Sequence, residues 1–581
     1  MIGLSGNRRT FLSGVGTAMG AVIAAPWDRA LAAGTAPELV IYNAKVYTVD
    51  PTSPRVEAFA IRAGRFVATG TSAEMRALAG PGTKSFDARG MTIVPGFIDC
   101  HTHLGGETIL YDELVGNLYD VQYLTIEDIL ERLRARAFKT PPGLWVEGFF
   151  FDDTKVKGGR TLTADDLDKV SKDRPVAVYM LGGHTSYYNS KALELAGVRR
   201  DTPDPFGGTY GRLPDGRLSG RATDAAHSAM LRAVKRATFS DAEKLERIRK
   251  GAAFISKQYV RNGVTSVCQG VGDTAAIASG RAIQDLRALQ DVRAAGDLLH
   301  RVSYEPYDTS VEALVASGIE TGFGDEWIRV GATFEHLTDG SFSERTMSMS
   351  TPFPGSNPPY YGNVMDKQDG LNAWAERVHR AGFQMNCHAN GDVAIGMVLT
   401  AYERALKLVP RAGTRPKITH CTLVNPELLR RIKAIGAVPT LFSTALYYNS
   451  DKFVFYDKNM LEHCVAYRSM IDMGIIPAAG SDFFALPLSP LMAIQGMVTR
   501  TGWDGKIWGA SQRITVDEAL KIYTYNGAYN THEEGIKGSI TPGKLADYVV
   551  LADDIHTVDP MKIKDIRIAQ TVTGGRIVYE S

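Results

Sequence analysis

Val94-Pro95-Gly96-Phe97-Ile98-Asp99-Cys100-His101-Thr102-His103 decides how this chain is read. The apolar, strand-like run from Ile93 to Ile98 delivers two histidines at positions i and i+2. Side chains alternate faces along a strand, so His101 and His103 point the same way and can share one metal ion. An HxH alone is common on surfaces. Here it follows a buried-looking strand and a Pro-Gly, and further candidate ligands recur at later strand ends.

Working outward, the pattern becomes helix, glycine, strand, repeated. A charged amphipathic helix over 241–261 stops at Asn262-Gly263 before Val264 to Val267. The stretch 370–381 ends at Gly382 before a strand over Phe383 to Cys387. Pro426 to Ile435 ends at Gly436 before Ala437 to Leu441, and Tyr467 to Met473 ends at Gly474 before Ile475 to Ala479. Such units build a parallel sheet, and their number favours an α/β fold closed as a TIM-like (β/α)8 barrel over 93–534. The less regular region, roughly within 104–240, reads as an insertion. Both ends of the chain, 37–92 and 535–581, are short strands and turns too small to bury a core alone, and pair economically in one composite β-sandwich.

Chemistry in a barrel sits where strands finish. The strand ending at Cys387 delivers His388, followed by Ala389-Asn390-Gly391-Asp392. Lys417-Ile418-Thr419 delivers His420, and Ile475 to Gly480 delivers Ser481-Asp482. Ile328, Val330, Ala332 and Phe334 alternate on one face and suit packing against outer helices. Glu335 then falls on the opposite, inward face, and His336 on the helix side. A buried glutamate needs a counter-charge, and a cation is its natural partner.

Composition narrows the function. The 581 residues carry 65 Lys plus Arg against 64 Asp plus Glu, so no electrostatic footprint for nucleic acid or anionic membrane is present. Five cysteines without CxxC spacing make no disulfide framework, and the three beside the histidines, Cys100, Cys387 and Cys421, read as small buried thiols. Asn7-Arg8-Arg9-Thr10-Phe11-Leu12, the apolar run Val15 to Ala25 and the small residues Ala30-Leu31-Ala32 form a twin-arginine signal peptide over 1–33. That run is too short for a permanent membrane span. The expected location is the periplasm or outside the cell, with the twin-arginine export machinery as a partner.

These residues resemble the amidohydrolase superfamily, in the branch related to N-substituted formamide deformylase. The resemblance covers roughly 37–581. It rests on PGFIDCHTH, Gly183-His184-Thr185, Asn189-Ser190-Lys191-Ala192-Leu193 and Asp339-Gly340-Ser341. It rests also on HANGD at 388–392, His420, Tyr467-Arg468-Ser469, Gly480-Ser481-Asp482 and the tail motifs Gly535 to Ile540 and Pro542 to Asp547. It implies a metal-dependent (β/α)8 barrel with a composite β-sandwich, His101 and His103 on one metal, His388 and His420 on a second, and Asp482 as ligand and proton acceptor. It also implies that His184 hydrogen-bonds substrate at the developing oxyanion. One departure stands out: many relatives place a carboxylated, metal-bridging lysine where this chain has Glu335.

Two divalent cations about 3.5–4 Å apart would share a water and lower its pKa, making hydroxide available. Zinc is the first choice for the nitrogen and oxygen ligand set, with manganese and iron compatible. The leading function is hydrolysis of a C–N bond, other than a peptide bond, in an amide, formamide or cyclic amide. Two alternatives stay open: non-hydrolytic lyase or isomerase chemistry on the same fold, and an exported binding or regulatory protein with a degenerate site. The expected substrate is a small molecule, and aromatic loops (Phe353, Tyr360, Tyr361; Tyr447, Tyr448, Phe453, Phe455, Tyr456) suit an apolar or aromatic body or simple packing. A homodimer is compatible with the sequence and not implied by it.

Overall fold

The computed structural model describes residues 36–103, 110, 114–117, 121–270, 281–483 and 485–581. The twin-arginine segment lies outside these. Two parallel sheets form the centre. One orders Phe97–His103, Val264–Gly270, Arg301–Glu305 and Ile328–Val330 side by side. The other orders His336–Leu337, Asn386–Ala389, Lys417–His420, Val438–Phe442 and Ala478–Gly480. The segment 328–337 contributes the last strand of the first sheet and the first of the second. At the far side the amide of Asp482 donates to the His101 carbonyl (2.9 Å), and Thr102 bridges to Phe483 in parallel. Asp99 pins the same junction by accepting from the amides of Ser481 (2.9 Å) and His101 (3.3 Å).

The helix signals act through local chemistry. Ser240 caps Asp241–Arg261 in a reciprocal box with Glu243. Pro426 opens Pro426–Ile435 behind the Asn425 cap, and Gly436 closes it at φ +64°, a conformation that favours glycine. Strand boundaries move relative to the sequence reading: Asn386–Ala389 and Ala478–Gly480 begin later, so His388 sits inside its strand rather than after it.

A six-stranded sheet joins Lys45–Tyr47, Arg55–Val56 and Thr92–Pro95 to Tyr548–Leu551, Ile568–Thr573 and Arg576–Glu580. It shares a core with the four-stranded sheet of Leu39–Tyr42, Ala58–Arg62, Arg65–Gly70 and Lys84–Asp87, where Phe59, Phe66 and Tyr548 meet edge-on or tilted. Buried Arg301 clamps this unit to the parallel sheets through Asp547 (2.7 and 3.0 Å). A separate five-stranded sheet, Val146–Phe151 to Leu218–Thr223, occupies the less regular region and carries its own core. All five cysteines are buried and free. Among the described residues no helix is long and apolar enough to cross a membrane.

Candidate metal centre

The strand ends bring six of the sequence candidates together. His101 Nε2 lies 3.5 Å from Glu335 Oε1 and 3.2 Å from Asp482 Oδ1. His103 Nε2 lies 2.9 Å from Asp482 Oδ1. Glu335 Oε2 faces His388 Nδ1 at 3.3 Å and His420 Nε2 at 3.4 Å. Three sets, His101/His103/Glu335, His101/His420/Asp482 and Glu335/His388/His420, each offer ligand atoms within 4.8 Å of one another.

The donors fit a cation. Both ring nitrogens of His101, His388 Nδ1 and Glu335 Oε2 are buried without a hydrogen-bond partner among the described residues. Buried polar atoms in native proteins are rarely left so. His388 Nε2 donates to the Gly340 carbonyl (3.2 Å), which turns the Nδ1 lone pair toward Glu335. The charges agree. Burial alone would lower His101, but Glu335 and Asp482 outweigh it and push its pKa up to about 10. Burial opposes ionisation of Glu335 and Asp482 too, yet the surrounding histidines hold both well below the carboxylate range. His420 falls to about 4, through burial and then the neighbouring His388. A cluster that draws a proton onto a histidine is short of positive charge, which a divalent cation supplies.

Backbone strain accompanies two of these residues. His420 (φ +70°) and Asp482 (φ +59°) occupy the left-handed region that non-glycine residues seldom adopt.

Glu335 reaches the centre by a different route from the one its alternation implied. The strand is not continuous: Ile328–Val330 ends at Gly331, residues 331–335 are irregular, and pairing resumes at His336–Leu337. Phe334 therefore does not pack on the outer helices. Its ring centroid lies 5.5 Å from that of His103 and 6.1 Å from that of His101. Gly270 makes the space, since a Cβ there would fall 1.6 Å from the Phe334 ring. His336 does turn to the helix side, bonding Asp366 (2.9 Å) and stacking on Trp374 of Gln368–Arg380.

His184 comes from the five-stranded sheet, in the turn after Val176–Met180 and before Thr185–Tyr188, not from the end of a strand in either central sheet. It still arrives at the centre, with its ring 4.9 Å from that of His388. Its Nδ1 lies 2.7 Å from Asp224 Oδ1, and burial notwithstanding, Asp224 and the nearby glutamates raise it to about 9. Asp224 itself is gripped by Asn363 Nδ2 (2.6 Å). Sequence reasoning missed Asp224: the two residues are 40 positions apart, and no local signal links them. It also used Asp339 only as a landmark. That buried carboxylate accepts from the amides of Asn390, Gly391 and Ser348 (2.8–2.9 Å), shaping the turn after His388.

The aromatic loops pack largely on each other. Phe342 stacks on Tyr456 (4.5 Å) and Phe353 on Tyr360 (5.4 Å), while Tyr361 and Phe455 stand exposed.

This fold and site are those of a metal-dependent hydrolase. A model described as the amidohydrolase family matches residues 84–579, and the chain belongs to that family. It is 27% identical to N-substituted formamide deformylase of Arthrobacter pascens, over 94% of this chain and 98% of that one. It is equally 27% identical to YtcJ of Bacillus subtilis, over 92% and 98% of the two chains. Among solved structures, a metal-dependent hydrolase of Pyrococcus horikoshii superposes with a TM-score of 0.66 at 21% identity, covering 91% of this chain and 99% of that chain.

Proposed function

We propose that this protein hydrolyses a C–N bond in an amide, a formamide or a cyclic amide. The observation that carries the proposal is the convergence of His101, His103, Glu335, His388, His420 and Asp482, with buried donor atoms left without partners. The reading includes closure of the parallel strands as a (β/α)8 barrel. The shared segment 328–337 and the Asp482–His101 backbone bond support it. His101 and His103 would hold one cation, His388 and His420 a second, with Glu335 between them and zinc the first choice.

Such a cation supplies Lewis-acid polarisation of a carbonyl and a water of lowered pKa. The remaining work belongs to side chains. Asp482 accepts the proton of the attacking water and returns it to the departing nitrogen. That role suits a carboxylate whose Oδ1 lies where the donors converge, 2.9 Å from His103 Nε2 and 3.2 Å from His101 Nε2. His184 donates from Nε2 to the oxygen where charge develops, while Asp224 holds Nδ1 and so sets the ring's orientation. Phe334 beside His103 and Phe442 beside His420 keep the surroundings partly apolar, which strengthens these interactions.

The test is a panel of diverse amides offered to the metal-reconstituted protein in isotopically labelled water. Hydrolysis places one solvent oxygen in the acid product. Turnover without that label would point to lyase or isomerase chemistry instead. The proposal extends to export: Arg8→Lys with Arg9→Lys should trap precursor in the cytoplasm, and cleavage near Ala33 should be visible by N-terminal sequencing of the exported form.

A further inference from the structure

Next to the metal-ligand cluster lies a second buried acid that the chemistry above does not use. Glu344 sits in the loop after His336–Leu337, is 0% exposed, and neither carboxylate oxygen has a hydrogen-bond partner among the described residues. Its acidic neighbours are satisfied: Asp339 by three backbone amides, Asp224 by His184 and Asn363. Gly182 makes room for it. A Cβ on that residue would fall 2.5 Å from Glu344 Oε1 and 3.2 Å from Ser343 Oγ. Gly182 does not have a positive φ, so the glycine serves space rather than backbone conformation.

The groups around the carboxylate leave it incomplete. Thr185, two residues after the Gly183 turn, brings its hydroxyl up to Glu344 and favours the charged carboxylate. The contact is too poor in geometry to be a full hydrogen bond and does not offset burial, which raises the pKa. The nearby cations are His184, bound to Asp224, and Lys452, bound to Asp152 at 3.1 Å. A desolvated acid without a donor is strongly unfavourable, so Glu344 calls for a proton or for a positive N–H donor brought by a ligand. His184 links this spot to the metal ligands, since its ring lies 4.9 Å from that of His388.

We propose that Glu344, with the Thr185 hydroxyl, recognises a cationic N–H group (an ammonium, amidinium or guanidinium) that the substrate carries close to the C–N bond being cut. The placement relative to the bond rests on the hydrolase reading above. The recognition itself does not. A carboxylate is matched by a planar, doubly donating cation, and the contact is worth most where water is excluded.

Methylguanidinium is a suitable probe, because it carries the charge and the donors and coordinates metals poorly. Isothermal titration into the metal-loaded protein should detect binding. Glu344→Gln, which keeps size and shape, should weaken it about ten- to hundredfold at matched metal content. Gly182→Ala, which crowds the carboxylate from outside, should weaken it as well. Equal affinity in wild type and Glu344→Gln, or no uptake by wild type, overturns the proposal and leaves Glu344 a neutral buried acid. Turnover of amides without methylguanidinium binding would keep the hydrolase reading and remove this subsite. Binding lost in Glu344→Gln, with no amide turned over, would do the reverse.

Discussion

Two buried charge clusters lie a few residues apart on the same strands, and they are solved in opposite ways. Lys417 and His420 open and close one strand. Lys417 Nζ, wholly buried, donates to Glu305 Oε1 and to the Cys100 carbonyl, each at 2.6 Å. Its pKa rises despite burial because Glu305 sits beside it. Plus one meets minus one, and the chain supplies both. Three residues further on, His420 joins a cluster with two carboxylates, Glu335 and Asp482, whose ion pairs among the described residues are all with histidines and none with lysine or arginine. The chain supplies both charges of the first cluster, although Glu305 Oε2 is left without a hydrogen-bond partner, whereas the second stays short of positive charge. A buried pair balanced in charge serves architecture; a cluster with several histidine and carboxylate donors facing one another suits a cation.

The sharpest way to break this contrast is at Asp482. Asp482→Asn keeps the shape and removes the basic oxygen, so turnover should fall by roughly a hundredfold to ten-thousandfold while the histidine-held metal stays mostly bound. Activity within a few-fold of wild type at matched metal content would assign the proton to another group. The mirror experiment is at Lys417. Lys417→Met leaves Glu305 buried and unpaired, and should cost about 3–5 kcal/mol of stability in chemical denaturation. Restoring neutrality with Glu305→Leu in the same chain should recover most of that loss, because a well-packed apolar pair can replace a buried ion pair. Failure of the double variant to recover would mean that Lys417 does more than balance a charge.

Glu335→Ala comes next. Elemental analysis should show the metal content falling from about two per chain toward one or less. One metal in wild type with no change in the variant would leave Glu335 outside the bridge. The smallest effect expected is in proton counts. His101, raised to about 10, is protonated in the metal-free protein at pH 8, and a cation can bind only its deprotonated ring. Metal loading at that pH should therefore release about one proton per chain from this residue, read as the buffer dependence of the binding enthalpy. Affinity should fall as pH is lowered, since protons then compete more strongly.

Much of the centre is legible because period and chemistry coincide. HxH after an apolar strand, and single His or Asp residues after the later helix–glycine–strand units, each mark a strand end that faces inward. Glu335 was also identified, though by an alternation that its own backbone does not keep. The break at Gly331 turns Phe334 and Glu335 both toward the histidines, and strand parity carries no information about an irregular stretch. Asp224 and Glu344 were not legible at all. Their roles depend on the inserted sheet and the loop after His336–Leu337 approaching the same spot, and nothing within a few residues of either one encodes that meeting.

What the chain's order of residues settles alone is the repeating helix–strand architecture, the identity of the histidines and carboxylates that converge, and the balanced net charge. These follow from local periodicity and from what each side chain can donate or accept. Which buried charges are answered by protein and which wait for a cation is settled only in three dimensions. Lys417 pairs with a residue 112 positions away and His103 meets Asp482 across 379, and Coulomb interactions depend on distance in space, not on separation along the chain.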